Sequence, residues 1–74
     1  MTFEKTAVNY GKETEVDEKG NYNCIITIGI VPSSDLIPPF SKDIVVESNN
    51  SMTGYEVDAQ RDKAIEDFIN QLNK

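Results

Sequence analysis

The chain has 74 residues and a formal net charge of −6, with no histidine and a single cysteine. A chain this short has room for one small core, so we expect residues 1–74 to form a single domain. The acidic charge argues against binding to nucleic acid or to an anionic membrane, and the lone cysteine excludes an internal disulfide. Without histidine, structural zinc is not expected either.

The N-terminal segment indicates a protein of the cytoplasm. Met1–Gly11 lacks the apolar core segment of a signal peptide. No run in the chain approaches the ~20 apolar residues that span a bilayer. We therefore expect a reducing compartment and no membrane partner.

The first half of the chain predicts a β-hairpin. Thr2–Val16 is a strand candidate with weak alternation, and Asp17–Gly20 has the aspartate and glycine that suit a type I turn with a left-handed glycine. Asn21–Val31 is the strongest strand candidate because β-branched residues dominate it. One face of this strand carries Tyr22, Cys24, Ile26, Ile28 and Ile30.

The turn also predicts a pairing register, with Asp17 opposite Asn21. This register gives four further pairs, which are Val16 with Tyr22, Thr14 with Cys24, Tyr10 with Ile28, and Val8 with Ile30. The apolar residues of both strands then share one face, with Lys12 opposite Ile26 as the exception. The other face is expected to be mostly polar, with some apolar residues mixed in. Its members are Glu13, Glu15, Asn23, Thr27, Ala7, Ile25 and Val31.

Pro32–Ser41 is predicted to connect the hairpin to a third strand. Pro38 and Pro39 cannot lie inside a paired strand and favour a stiff corner. The connector's apolar residues are expected to fold back onto the core edge; they are Leu36, Ile37 and Phe40. Lys42–Ser48 is predicted as the third strand, and its partner, the first or the second strand, stays open.

The last third of the chain predicts a helix from about Gly54 to Asn73. Thr53 and Glu56 have the spacing of a capping box, and Met52 is placed to pack on Val57 as a hydrophobic staple. Arg61 interrupts the apolar stripe, and we expect its methylenes to cover the core while its guanidinium reaches water. The stripe comprises Val57, Ala64, Ile65, Phe68 and Leu72, widened by Ile69.

These elements predict an α+β domain of order β-β-β-α, with the helix covering the hairpin's apolar face in two layers. Phe68 is expected at the centre of the core, against Ile26 and Ile28. Cys24 falls on the same face, where a thiol is usually inert. No histidine is present to serve as a base, and the isolated glycines form no phosphate-binding loop. We expect no catalytic, cofactor-binding or metal-binding residue, and no enzyme.

Acidic residues form the one arrangement that could carry function. Asp58, Asp62 and Glu66 are spaced i, i+4, i+8 in a row along the helix, and Glu13 and Glu15 belong to a second cluster near the hairpin tip. Solvated faces are the ordinary interpretation of such charges. The functional interpretation is a docking surface for a basic partner.

The sequence thus favours a small acidic protein-interaction module without catalysis. Such chains are plentiful among phage and mobile-element accessory proteins. The alternative is a structural subunit that self-associates, for example as a homodimer, through a sheet edge or the outer sheet face. A third alternative is an inhibitor that mimics the charge of nucleic acid.

Overall fold

One open antiparallel sheet and one helix make up the fold. The computed structural model describes residues 1–74, and the elements are β1 Phe3–Glu13, β2 Asn21–Pro32, β3 Phe40–Asn49 and α1 Gly54–Leu72. The strand order is β1-β2-β3, and both pairs are antiparallel. The predicted α+β class and β-β-β-α order are confirmed, and the third strand pairs with the second.

The predicted turn between β1 and β2 is confirmed. Gly20 has a φ of 85°, a left-handed conformation that favours glycine. The Asp17 carboxylate accepts hydrogen bonds from the backbone N–H groups of Lys19 and Asn21, at 2.8 and 2.9 Å. The aspartate and the glycine therefore fix this turn, as the sequence indicates.

The register beyond the turn differs from the prediction. Pairing shifts twice along β1, once between Lys5 and Ala7 and once between Tyr10 and Glu13. The register has already slipped by one residue between the turn, where Asp17 N donates to Asn21 O, and the pair of Glu13 with Cys24. Each of the two β-bulges then adds one more residue to β1. The observed pairs are Glu13 with Cys24, Tyr10 with Ile26, and Val8 with Ile28. The predicted pairs of Thr14 with Cys24, Tyr10 with Ile28, Val8 with Ile30 and Lys12 with Ile26 are wrong.

The core lies between β2 and the helix. The alternate residues of β2 that face the helix are each exposed by 1% or less; they are Cys24, Ile26, Ile28 and Ile30. Val46 from β3 and Ile65 from α1 complete the cluster of buried residues. Four further residues of the predicted helix stripe pack against it, so the covering role of the helix is confirmed; they are Ala64, Phe68, Ile69 and Leu72. Val57 is also buried, but outside this cluster.

Phe68 does not occupy the centre of this core. Its side chain is only partly buried and packs against the edge of the cluster, whereas Ile65 is 4% exposed and belongs to it. A stripe of six residues covers a broad arc, and spacing alone does not say which member lies deepest. The deeper position falls to the smaller Ile65.

Side-chain hydrogen bonds hold both ends of the helix. The capping box is present: Thr53 Oγ1 accepts from Glu56 N at 3.2 Å, and Glu56 Oε1 accepts from Thr53 N at 3.4 Å. Beyond the C-terminus, Asn73 accepts from Phe3 N at 2.7 Å and donates to Phe3 O at 3.0 Å. No helix here has the length and apolarity to cross a membrane.

Of the three connector residues expected to fold onto the core edge, Phe40 packs against the buried cluster, whereas Leu36 and Ile37 do not. Leu36 is 93% exposed, and Ile37 is also exposed. Ser34 accepts hydrogen bonds from the backbone N–H groups of both residues, which holds a turn that projects them outward. Phe40 begins β3 and contacts the ring of Phe3 edge-on, with centroids 6.1 Å apart.

Truncating Ile65 should destabilise the fold more than truncating Phe68. Ile65→Ala leaves a cavity in the closed core and should cost ~2–5 kcal/mol. A domain of this size has about 5 kcal/mol in total, so this variant should lose a large part of its stability and melt well below the parent. Thermal melts followed by circular dichroism measure both variants, with the exposed Asp67→Ala as control. A lower melting temperature for Phe68→Ala than for Ile65→Ala would contradict this packing.

Candidate functional site

The predicted acidic residues separate into three environments. Asp62 and Glu66 border a groove between the helix and β1. Asp58, one turn nearer the N-terminus of the helix, is exposed but does not line this groove. Glu13 forms an ion pair with Arg61 of the same chain. Glu15 lines a different hollow near the hairpin tip. The predicted row and hairpin cluster therefore do not form one continuous acidic face.

The groove combines an apolar base with charged walls. It has a volume of about 460 Å³ and is open to solvent. Ile65 and Ile69 are its two apolar lining residues. Its polar lining residues are Asp62, Glu66, Asn70 and Lys5. An apolar surface rimmed by carboxylates fits a ligand that carries both a hydrocarbon stem and a positive charge.

Lys5 reaches the groove because of the first β-bulge. The register shift places Lys5 opposite Ile30, whose side chain is buried on the helix side of the sheet. The ion pair of Arg61 with Glu13 is the only one in the chain within 4.0 Å, so Lys5 neutralises neither groove carboxylate by direct contact. Lys5 was not predicted as a site residue, because the face of the sheet on which it lies depends on the bulge.

Glu13 lies on the helix side of the sheet, not on the predicted outer face. The second bulge pairs it with Cys24, which is a core residue. Its carboxylate accepts a hydrogen bond from Arg61 Nη2 at 2.8 Å. Glu13 therefore makes a contact with the helix that the sequence did not predict.

Arg61 is also placed differently from the prediction. Its side chain is only 12% exposed, and its guanidinium lies 5.8 Å from the centre of the Tyr10 ring. The hydrogen bond to Glu13 raises the pKa of Arg61 further above its usual range, so the side chain stays charged at any pH at which the protein is studied. Its Nε is buried without a hydrogen-bond partner. Arg61 thus joins the helix to β1 instead of extending into water.

The hollow near the hairpin tip is smaller and almost entirely polar. It measures about 260 Å³, and Tyr22 is its one apolar lining residue. Glu15 and Asp17 both border it, but Asp17 already accepts the two hydrogen bonds of the turn. No group of three or more histidine, cysteine, aspartate or glutamate side chains is arranged to hold a metal ion.

The outer face of the sheet carries an exposed apolar pair. Ile25 and Val45 are directly opposite each other, at 42% and 65% exposure, and Val31 is exposed further along β2. The single helix lies on the other face, so no element covers them. Beside this pair, Thr27 donates a hydrogen bond to Asp43 at 2.7 Å.

The chain matches no family model, no curated protein and no solved structure. The fold by itself does not define a function, because one architecture can serve many. The groove and the outer sheet face are therefore the two surfaces whose chemistry can support a proposal.

The link between Arg61 and Glu13 should contribute measurably to stability. Arg61→Ala removes the hydrogen bond, the contact with Tyr10 and buried methylene packing, and should cost ~1–3 kcal/mol. Glu13→Gln, at a half-exposed position, should cost less than ~1 kcal/mol. Urea unfolding measures both, with Lys63→Ala as the control because Lys63 is an exposed cation on the same helix. Equal stability of Arg61→Ala and Lys63→Ala would contradict this role.

Proposed function

We propose that this chain is a small, non-catalytic protein-interaction module that binds a basic segment of a partner protein in the groove beside α1. The observation that carries the proposal is the position of Asp62 and Glu66. Both carboxylates lack an ion-pair partner, and both lie next to the apolar base formed by Ile65 and Ile69.

This arrangement suits the chemistry of a lysine or arginine side chain. The methylenes of such a side chain can pack on Ile69, which is half-buried, while its charge approaches the carboxylates. Asp62 and Glu66 lie one helical turn apart, about 6 Å along the axis, so a single cation can interact with both. The net charge of −6 would also speed the encounter with a basic protein.

A binding role fits the groove better than catalysis does. The groove is an open surface, and Asp62 and Glu66 on its rim are exposed to water, without the enclosure that catalytic sites normally provide. Cys24, the only thiol, is buried in the core, with its Sγ 3.9 Å from the backbone oxygen of Gly11. It lies among the packed isoleucines, away from any open surface.

Neutralising the groove should weaken binding of a basic peptide. The probe is a short, fluorescently labelled synthetic peptide in which arginine alternates with leucine, measured by anisotropy at low ionic strength. Asp62→Asn combined with Glu66→Gln should weaken binding by about fivefold, as expected for the loss of two exposed charge contacts. The matched control is Asp35→Asn combined with Asp67→Asn, which removes the same charge elsewhere. Equal affinities of the two double variants would overturn the proposal.

Self-association through the outer sheet face is a second candidate, favoured by the uncovered pair of Ile25 and Val45. The molecule is also long and thin, at 47 × 18 × 17 Å, with a radius of gyration of 14.2 Å. A compact domain of this length would have a radius of about 11 Å. Only 10 of 74 residues are buried, so a second copy over this face would add a layer that the monomer lacks.

Sedimentation velocity at micromolar concentration tests this second candidate. If two copies associate through this face, the sedimentation coefficient should rise with concentration toward that of a dimer, and Ile25→Thr combined with Val45→Thr should abolish the rise. Leu36→Ser is the control, because Leu36 is the most exposed apolar residue but lies in the connector. A strict monomer, or a dimer that survives the double substitution, would rule out this interface.

A further inference from the structure

We propose that Lys5 determines which basic segments the groove accepts, an inference that rests on the binding function proposed above. Lys5 is the only cation that lines the groove, and it shares the walls with Asp62 and Glu66. Its ammonium favours a partner in which one basic residue is accompanied by an acidic neighbour. It disfavours a segment that is uniformly basic.

The position of Lys5 depends on the bulge at Thr6. Ala7 pairs with Gly29, so uninterrupted pairing would place Lys5 opposite Val31, on the outer face of the sheet. The extra residue instead turns Lys5 to the helix side, opposite Ile30. Bulges commonly redirect a side chain in this way.

Gly29 leaves the space that this bulge needs. A Cβ atom at this position would lie 2.9 Å from the Oγ1 atom of Thr6, closer than such atoms normally approach. The backbone of β2 is therefore matched to the irregularity in β1. The two strands together hold Lys5 beside the groove.

The charges of the groove then define a pattern for the ligand. A basic side chain on the apolar base is attracted by Asp62 and Glu66. A second basic side chain placed near Lys5 is repelled, while an acidic one is attracted. The partner that fits is a protein segment of mixed charge with apolar residues between the charges, rather than a polybasic tail.

Two peptides of equal length distinguish these partners. In the uniformly basic peptide arginine alternates with leucine, and in the mixed-charge peptide every second arginine is replaced by glutamate. Each is titrated against the parent protein, Lys5→Gln and Lys12→Gln. Lys12 is the matched control because it is an exposed lysine on the same strand that does not line the groove.

Lys5→Gln should strengthen binding of the uniformly basic peptide by about threefold and weaken binding of the mixed-charge peptide by a similar factor, as for one exposed charge contact. Lys12→Gln should change the logarithm of each affinity by less than half of the change that Lys5→Gln produces. Similar changes for both lysine variants would overturn the role of Lys5.

The same titrations separate this inference from the function on which it rests. Binding that depends on Asp62 and Glu66 but responds equally to the two lysine variants leaves the groove as the binding site and removes only the role of Lys5. If neither peptide binds the parent protein, or if neutralising Asp62 and Glu66 has no specific effect, the proposed binding function fails, and the role of Lys5 fails with it.

Discussion

Burial of one face of β2 under the helix is the constraint on which the rest of the structure depends. β2 is the only strand with neighbours on both sides, and its four helix-facing residues are almost completely buried. Each such side chain contributes ~1.5–3 kcal/mol by leaving water, so the face of β2 is strongly specified. The core is a single layer thick, and no second cluster exists to replace it.

Because β2 is fixed, β1 carries the irregularities. Its two bulges place Glu13 and Lys5 on the helix side of the sheet. If the pairing around Tyr10 continued without bulges, both side chains would lie on the outer face. Glu13 forms an ion pair with Arg61, in which the arginine is mostly buried and the glutamate is half-exposed. Lys5 lines the same groove as Asp62 and Glu66 but forms no ion pair with either, so both carboxylates are free to bind a cation. One strand thus supplies both a structural link to the helix and one wall of the groove.

The sequence predicted the features that local chemistry determines. The Asp17 turn, the Thr53 cap and the alternation of β2 each depend on residues close in the chain, and the structure contains all three. Features that depend on bulges were not predicted. Gly11 and Gly29 lie at the two irregularities, and an isolated glycine in a strand can signal a bulge, but it does not say which residue is added or to which face the next side chain turns. The side of Glu13 was therefore wrong, and Lys5 was missed.

Two further differences concern single side chains, Arg61 and Leu36. Arg61 was expected to extend into water, but a bulge brings Glu13 and Tyr10 within its reach. Leu36 was expected to fold inward because it is apolar, yet the turn held by Ser34 directs it outward. In both cases a tertiary contact or a turn outweighed the general preference of the residue type.

The register of β1 against β2 is the central claim, since both the ion pair and the groove follow from it. Nuclear Overhauser contacts between backbone protons of opposed residues measure this register directly in solution. The structure predicts contacts of Tyr10 with Ile26 and of Lys5 with Ile30. Contacts of Tyr10 with Ile28 in an unbroken ladder would contradict it, because Lys5 and Glu13 would then lose the positions on which the groove and the ion pair depend.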